Sequence, residues 1–279
     1  MQIFIDSADI KEIKEIRDYG ILDGVTTNPS LIKKALMSGS MKSKKSGKKI
    51  DMESYVKDIL KVCKGKPVSL EVIGVNYDEM VKEGKNLYKK FNKVAKNVYI
   101  KIPVNPCMEP HCDKSSDGIK SIKELSKNNI PVNCTLIFTP EQALLAGKAG
   151  AKIVSPFAGR VDEYIREMNR IKLNKEAYFP KEGFKKGKKI LEDNGIVSGI
   201  DLVAETVKIL RESKIKTKVL AASIRNTRQF RESAEAGADI ATVPFSVIKK
   251  LLDHHKTAEG MKNFVKDIVP EYARIVRSK

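Results

Sequence analysis

The chain has 279 residues, of which 41% are hydrophobic and 32% are charged, and its formal net charge at pH 7 is +18. This composition is typical of a globular protein with a sizeable core, and no apolar run approaches the roughly 20 residues that a membrane-spanning helix needs. The beginning, MQIFIDSADI, has no apolar signal segment, so we expect a cytoplasmic location. The positive charge favours anionic partners, which include phosphorylated metabolites as well as nucleic acids.

Short runs rich in Val and Ile alternate with amphipathic stretches along the chain, as is typical of parallel strands covered by helices on both faces. Eight such units predict a single-domain α/β fold over 1–279, a closed (β/α)8 TIM barrel. An open doubly wound sheet is the alternative, weakened because no G-x-G-x-x-G turn follows the first strand. The predicted strands are 2–5, 24–26, 68–73, 98–103, 131–137, 152–157, 218–223 and 238–244, and the predicted helices include 9–19, 118–128, 140–150, 199–214 and 227–237.

Two basic stretches, MKSKKSGKKI (41–50) and KEGFKKGKKI (181–190), are interpreted as surface loops. They belong to predicted insertions at 38–50 and 165–195. Their basic cores lack the interleaved aromatic residues on which nucleic-acid bases stack. A basic nucleic-acid-binding protein is therefore the less favoured hypothesis, and no nucleic-acid partner is expected.

The C-terminal segment predicts a helical extension at about 256–279 that is broken or kinked at Pro270. Its apolar stripe is predicted to dock either on its own barrel or on a neighbouring copy, and the sequence leaves both open. The stripe consists of Phe264, Ile268, Tyr272 and Ile275.

The four cysteines suggest packing rather than chemistry. Cys63 lies in a helical pattern and Cys134 in a strand, where buried free thiols are ordinary. Cys107 and Cys112 lie near His111 in a third predicted insertion, 105–117, but no second half with metal-ligand spacing accompanies them. We therefore expect no metal site here, and a reduced surface loop.

Charged residues occur where apolar strands are predicted: Asp6 ends the first, Glu71 interrupts the third and Lys101 interrupts the fourth. The carboxyl ends of barrel strands meet at one face, so these side chains are expected to share a cavity. A buried Lys–carboxylate cluster that is only structural is the alternative. Further polar or aromatic candidates follow other strands, whereas the eighth strand ends in apolar TVPFSV and is expected to add little. These candidates are Thr27, Asn28, Asn133, Thr135, Ser155, Phe157, Arg160, Ser223 and Arg225.

This set suits a lysine nucleophile. Apolar neighbours disfavour a charged ammonium, so they keep part of Lys101 as the neutral amine that attacks a ketone to form an iminium. Carboxylates such as Asp6 and Glu71 move the protons that this chemistry requires. Arg160 and Arg225 offer charge-assisted hydrogen bonds for a phosphate on the substrate.

The segments FIDSAD, GVTTNPSLI, IKIPV, NCTLIF, SPFAGR and AASIRN resemble the transaldolase family, in particular its short branch, which includes fructose-6-phosphate aldolase. The resemblance implies a cofactor-free enzyme with Lys101 as the Schiff-base lysine and Asp6 as the acid/base group. It implies that Glu71 and Thr135 hold a proton-relaying water, and that Asn28 and Asn133 bind the dihydroxyacetone hydroxyls. Phosphate binding would fall to Ser223, Arg225 and Arg160.

Glu71, Ser155 and Phe157 match the transferase form of this family, whereas the aldolase form has glutamine, alanine and tyrosine at these places. The resemblance thus implies a transaldolase acting on sugar phosphates, with fructose-6-phosphate aldolase as the alternative on the same fold. It also implies a homo-oligomer, a pentamer or a decamer.

Overall fold

The structure is a computed structural model that describes residues 1–37, 51–109, 112–172 and 174–278. The predicted insertion at 38–50 therefore lies outside the described residues, as does His111. No helix in these four ranges is long and apolar enough to cross a membrane.

Parallel strands close into a barrel at the centre of the protein, as the sequence predicts. These strands are β1 (Gln2–Asp6), β2 (Gly24–Thr26), β3 (Val68–Glu71), β4 (Val98–Pro103), β5 (Val132–Ile137), β6 (Ile153–Pro156), β9 (Lys218–Ala221) and β10 (Ile240–Val243). A separate antiparallel hairpin consists of β7 (Lys185–Lys186) and β8 (Lys189–Ile190). The barrel order is β1-β10-β9-β6-β5-β4-β3-β2, and every neighbouring pair is parallel. The (β/α)8 prediction is confirmed.

Helices follow the barrel strands, and several begin at residues that cap them. Thr139 and Gln142 form a reciprocal capping box with Pro140 in the first turn, and Ser198 and Asn226 cap two later helices. The helices are α1 (Ile10–Asp18), α2 (Pro29–Met37), α3 (Met52–Val62), α4 (Tyr77–Ala95), α5 (Asp117–Lys127), α6 (Pro140–Lys148), α7 (Ala158–Met168), α8 (Gly199–Glu212), α9 (Thr227–Glu235), α10 (Phe245–Lys250), α11 (His255–Lys266) and α12 (Pro270–Arg277).

Two hydrophobic layers position the site. The larger one lies between the outward faces of the strands and the helices, and it includes Ile100 and Ile102 of β4. The smaller one fills the barrel with Phe4, Ile153 and Leu220. Since this inner layer occupies the barrel interior, polar side chains gather above it, at the carboxyl ends of the strands.

The residues between α7 and α8, which we call the α7–α8 segment (169–198), contain the β7–β8 hairpin and their own apolar contacts. Phe179, Leu191 and Ile196 of this segment are buried against α7 and α8. The Arg228 guanidinium lies over the Tyr178 ring, 3.6 Å from its centre, and the Tyr178 hydroxyl donates a hydrogen bond to Glu232 Oε1 at 3.1 Å. The segment is thus anchored on the outside of the barrel, beside α9.

The C-terminal extension is two helices, α11 and α12, separated before Pro270, which confirms the predicted break. Neither helix contains a buried residue. Phe264 and Ile275 are 73% and 72% exposed. The apolar stripe therefore does not dock on the protein's own barrel.

The cysteines differ from expectation in one respect. Cys63 and Cys134 are buried free thiols, as predicted, and burial raises the pKa of Cys63 to about 12. Cys107 and Cys112, in contrast, are joined in a disulfide, so the expectation of a reduced loop was wrong. Sequence spacing cannot indicate this bond, because two thiols five residues apart bond only when the loop brings their Cβ atoms together.

Candidate active site

Strand register brings the central residues together. Lys101 on β4 is paired with Glu71 on β3 and with Asn133 on β5. Lys101 is 5% exposed, and its Nζ lies 3.1 Å from Glu71 Oε2 and 3.5 Å from the Thr27 carbonyl oxygen. The contact with Glu71 has the distance of an ion pair without the alignment of a hydrogen bond. The Lys101 amine is thus held mainly by charge, without a well-aligned hydrogen bond to Glu71.

Asp6 lies at the end of β1 and is held by a directional chain of hydroxyls. Thr26 Oγ1 donates to Asp6 Oδ1 at 2.6 Å and contacts Thr242 Oγ1 at 2.5 Å. Because the single proton of Thr26 points to Asp6, Thr242 must be the donor in the second contact. Burial raises the pKa of Asp6, while Lys101, the Thr26 hydroxyl and Arg225 oppose that rise.

Asn133 is fully buried and fixed from both ends of its amide. Its Nδ2 donates to Ser69 Oγ at 3.1 Å, and its Oδ1 accepts from Ser155 Oγ at 2.7 Å. Thr27 Oγ1 donates to the Ser69 carbonyl at 2.7 Å. Asn28 Oδ1 accepts from Leu31 N at 2.9 Å in the first turn of α2, which leaves its amide hydrogens for other partners.

Two arginines also belong to the site. Arg225 Nη2 is 3.0 Å from Glu163 Oε1, and the Arg160 guanidinium lies 5.2 Å from the centre of the Phe157 ring. Phe157 in turn packs edge-on against Phe138, with ring centres 5.6 Å apart. The aromatic pair thus supports an arginine that is itself exposed to solvent.

Several buried polar atoms have no hydrogen-bond partner among the described residues, and those of the predicted site residues include Thr135 Oγ1, Ser223 Oγ and Arg225 Nε. Buried polar groups are nearly always paired, so unpaired ones in a cleft are candidates for ligand contacts. The backbone is also unusual here, because Ser223 has a φ of 62° and Leu136, next to Thr135, has a φ of 57°. Non-glycine residues in this region cluster at functional sites.

These groups surround a cavity of about 200 Å³ at the carboxyl end of the barrel. Thr27, Glu71 and Asn133 lie one contact behind its lining, and Thr135 is buried in β5. The other predicted residues line it directly, namely Asp6, Asn28, Lys101, Ser155, Phe157, Arg160, Ser223 and Arg225. The structure therefore brings eight of the predicted residues to one cavity and three more directly behind its lining, whereas no contact places Thr135 there.

Sequence reasoning missed three contributors. Thr242 of β10 lines the cavity, so the expectation that the eighth strand adds little was wrong. Thr26 and Glu163 were not selected either, although they hold Asp6 and Arg225. Alternation along β10 offered a signal for Thr242, since Ile240, two residues before it, faces the barrel interior.

In the part of the chain that the structure describes, no group of three or more His, Cys, Asp or Glu side chains could hold a metal ion. Arg228 lies on α9 and pairs with Glu232 at 2.9 Å, away from the cavity lining.

Comparison with known proteins agrees with this geometry. Residues 3–275 match the family described as Transaldolase/Fructose-6-phosphate aldolase. This chain belongs to that family. The transaldolase/fructose-6-phosphate aldolase match runs from the second residue of β1 to Ile275 within α12, and so includes the other seven barrel strands in full.

Relatives named "Probable transaldolase" are similar to the chain along most of its length. One from Bacteroides thetaiotaomicron is 40% identical over 269 residues, which cover 96% of this chain and 97% of the relative. One from Bacteroides fragilis is 41% identical over 267 residues, which also cover 96% of this chain and 97% of the relative. One from Thermoplasma volcanium is 38% identical over 267 residues, which cover 96% of this chain and 95% of the relative. The transaldolase resemblance read from the sequence is confirmed, and the protein is an enzyme of this family.

Proposed function

We propose that the protein is a transaldolase of the non-oxidative pentose phosphate pathway. It transfers a dihydroxyacetone unit from sedoheptulose 7-phosphate or fructose 6-phosphate to an aldose phosphate. The observation that carries this proposal is Lys101, a buried amine 3.1 Å from Glu71 that lines one cavity with Asp6 and two arginines. A buried lysine among carboxylates at strand ends suits Schiff-base chemistry.

In the proposed reaction the neutral amine of Lys101 adds to the ketone carbon, and loss of water gives an iminium. The Asp6 carboxylate takes the proton of the C4 hydroxyl, the C3–C4 bond breaks, and its electron pair moves to the iminium to form an enamine. The aldose phosphate leaves, and the enamine adds to the acceptor aldehyde while Asp6 returns the proton. Water then hydrolyses the new iminium and frees Lys101.

The raised pKa of Asp6 supports its role, because an efficient proton-transfer group has a pKa near the working pH. Glu71 with Thr135 would hold the water that relays protons during imine formation and hydrolysis. The Thr135 hydroxyl is buried and has no hydrogen-bond partner among the described residues, which suits a water-binding group.

Substrate binding divides between the two sides of the cavity. Asn28 and Asn133 would bind the dihydroxyacetone hydroxyls near Lys101, with Thr27 and Ser155 as further substrate-binding residues. Arg160, Arg225 and Ser223 would bind the phosphate. Ser223 Oγ and Arg225 Nε support the second assignment, since both are buried and lack a partner in the described residues. Guanidinium groups bind phosphate by charge-assisted hydrogen bonds.

Fructose-6-phosphate aldolase activity is the alternative, and Phe157 favours transfer over cleavage. Its phenyl ring packs against Phe138 and has no hydroxyl that would orient a second water toward the enamine. The enamine would then persist until an aldehyde accepts it. Fructose 6-phosphate turnover that requires erythrose 4-phosphate supports transfer, whereas release of free dihydroxyacetone without an acceptor supports the aldolase.

Reductive trapping tests the mechanism directly. Borohydride added with fructose 6-phosphate is expected to leave a covalent adduct on Lys101, found by peptide mass mapping, and Lys101→Met is expected to abolish both adduct and turnover. Lys85→Met is the matched control, because Lys85 also pairs with a glutamate, Glu124 at 2.8 Å, but on the outer helices. An adduct on another lysine would refute the proposal.

A homo-oligomer, a pentamer or a decamer, is part of this proposal and is supported by the exposed apolar residues of α11 and α12. A light-scattering mass of one subunit would refute it.

A cytoplasmic location is also proposed, because sugar phosphates are charged metabolites that do not cross membranes unaided. The Cys107–Cys112 disulfide is unusual for that reducing compartment.

A further inference from the structure

A buried chain of hydrogen bonds connects three helices to residues 223–226, which we call the Arg225 loop. The backbone N–H of Arg225 donates to Gln229 Oε1 at 2.7 Å. Gln229 Nε2 donates to Asp162 Oδ2 at 2.6 Å, and Gly199 N donates to Asp162 Oδ1 at 2.6 Å. The chain therefore joins α7, the first residue of α8 and α9 to the loop that carries Arg225.

The two central side chains are almost inaccessible to solvent, with Asp162 2% exposed and Gln229 1% exposed. Burial raises the pKa of Asp162 to about 7, and Glu232 on α9 acts in the same direction. The two N–H donors and Arg166 on α7 favour the carboxylate. A polar group buried this deeply is destabilising unless its partners stay in place, so it imposes a fixed geometry on them.

When Asp162 is ionised, this hydrogen-bond chain has a single polarity. An ionised carboxylate accepts hydrogen bonds and donates none, so Asp162 fixes which end of the Gln229 amide faces it. The amide nitrogen must point to Asp162, and the amide oxygen is then directed to the Arg225 N–H. Asp162 thus orients the Gln229 amide so that its oxygen accepts the hydrogen bond from the Arg225 backbone N–H.

The Arg225 loop is tightly constrained elsewhere as well. Ser223 has a φ of 62°, and a Cβ placed on Gly159 of α7 would lie 2.1 Å from the Ser223 carbonyl oxygen. The Arg225 side chain is paired with Glu163 of the same helix at 3.0 Å. The loop is therefore pressed against α7, and the chain through Gln229 and Asp162 holds its backbone in that position.

We propose that Asp162 and Gln229 are positioning residues, which act through Arg225 to place its guanidinium for the phosphate of the substrate. This inference rests on the proposed function, because it takes Arg225 as a phosphate ligand. Neither residue lines the cavity, so both act without touching the substrate. Asp162 and Gln229 are therefore expected to affect phosphate binding and not the chemistry at Lys101.

An exchange of the two side chains tests the proposal. Asp162→Asn alone leaves a donor facing a donor whichever way the new amide turns, because both Gly199 N and Gln229 Nε2 donate to Asp162. Gln229→Glu alone sets two carboxylates against each other. The double variant D162N/Q229E restores every donor–acceptor pair, because the new amide accepts from Gly199 and donates to the new carboxylate, which accepts from Arg225. Ser233→Ala is the control, since it removes another buried hydrogen bond of α9, from Ser233 Oγ to the Gln229 carbonyl.

The readouts separate positioning from folding. Each single variant is expected to raise the KM for fructose 6-phosphate, and the dissociation constant for inorganic phosphate, roughly tenfold, the loss for one buried hydrogen bond. The kcat and borohydride trapping of unphosphorylated dihydroxyacetone at Lys101 are expected to stay as in the wild type. The double variant is expected to recover both constants, and Ser233→Ala to leave them unchanged even where it lowers the melting temperature.

The inference is wrong if Asp162→Asn keeps the wild-type constants, if the double variant fails to recover them, or if wild-type protein does not bind inorganic phosphate. These results differ from failure of the proposed function. If the wild type does not turn over fructose 6-phosphate but Asp162→Asn weakens and the double variant restores phosphate binding, the transaldolase proposal falls and the positioning role stands.

Discussion

The hydroxyl of Thr26 is a small group with a large expected effect on the pH dependence of the enzyme. It donates a 2.6 Å hydrogen bond to Asp6 Oδ1 from a buried position, and this bond lowers a pKa that burial raises. Thr26→Val removes the donor and nearly preserves the shape of the side chain. The carboxylate form of Asp6 loses its partner, so its pKa is expected to rise further.

The magnitude follows from the bond. A hydrogen bond to a charged group contributes about 1.5–3 kcal/mol. One pKa unit corresponds to about 1.4 kcal/mol, so the pKa of Asp6 is expected to rise by about 1–2 units. In the proposed mechanism Asp6 must be ionised to accept the C4 hydroxyl proton, and the acid limb of kcat/KM should therefore move to higher pH by the same amount.

The assay is the pH profile of kcat/KM for fructose 6-phosphate with erythrose 4-phosphate as acceptor. Thr242→Val is the graded control, because the Thr242 hydroxyl donates to Thr26, which in turn donates to Asp6. Cooperative strengthening of about 10–30% per bond predicts a shift of a few tenths of a unit for this variant. An acid limb that stays in place in Thr26→Val, or moves more in Thr242→Val, would refute the reasoning.

Three further outcomes are expected. Gly159→Ala puts a methyl group 2.1 Å from the Ser223 carbonyl oxygen, so it should raise the KM for fructose 6-phosphate and lower the free energy of unfolding by about 1–3 kcal/mol. Gly260→Ala has open space around the new methyl group and should change neither quantity, so equal effects of the two variants would contradict the prediction. Phe179→Ala should lower the free energy of unfolding in urea by about 3–5 kcal/mol, because the ring is 1% exposed; a loss below about 1 kcal/mol would show that the α7–α8 segment does not unfold with the barrel. Cys107→Ser opens the loop closed by the disulfide between residues five apart, so it should lower the free energy of unfolding by about 2 kcal/mol. A wild-type unfolding midpoint that does not change with dithiothreitol would contradict this prediction.

The sequence predicts the barrel and its central residues because both depart from ordinary patterns. Buried parallel strands need continuous Val and Ile, which short sequence windows reveal. A lysine or glutamate inside such a run is conspicuous, because an isolated charge is costly there. Lys101 and Glu71 could therefore be selected from the sequence, and barrel geometry then implied that Asp6 lies near them.

Other contributors carry no such signal. Threonine is common in strands, so the hydroxyls of Thr26 and Thr242 look like ordinary strand residues. Asp162 and Gln229 lie on amphipathic helices and meet across 67 residues of chain, which no local pattern records. The packing of Phe179 in the α7–α8 segment depends on a surface formed by α7 and α8 together. These contacts exist only after the barrel has closed.

Strand register gives Lys101 a role that precedes catalysis. Ile100 and Ile102 on either side of it pack into the layer between barrel and helices, while Lys101 faces Glu71 across the β3–β4 pair. A slip of β4 by one residue would exchange the two faces, driving the ammonium into the apolar layer and the isoleucines toward Asp6. During folding, misaligned pairings of β4 are thus strongly disfavoured by the same side chain that is proposed to attack the substrate. Replacing Lys101 by a hydrophobic residue would remove that discrimination as well as the proposed nucleophile.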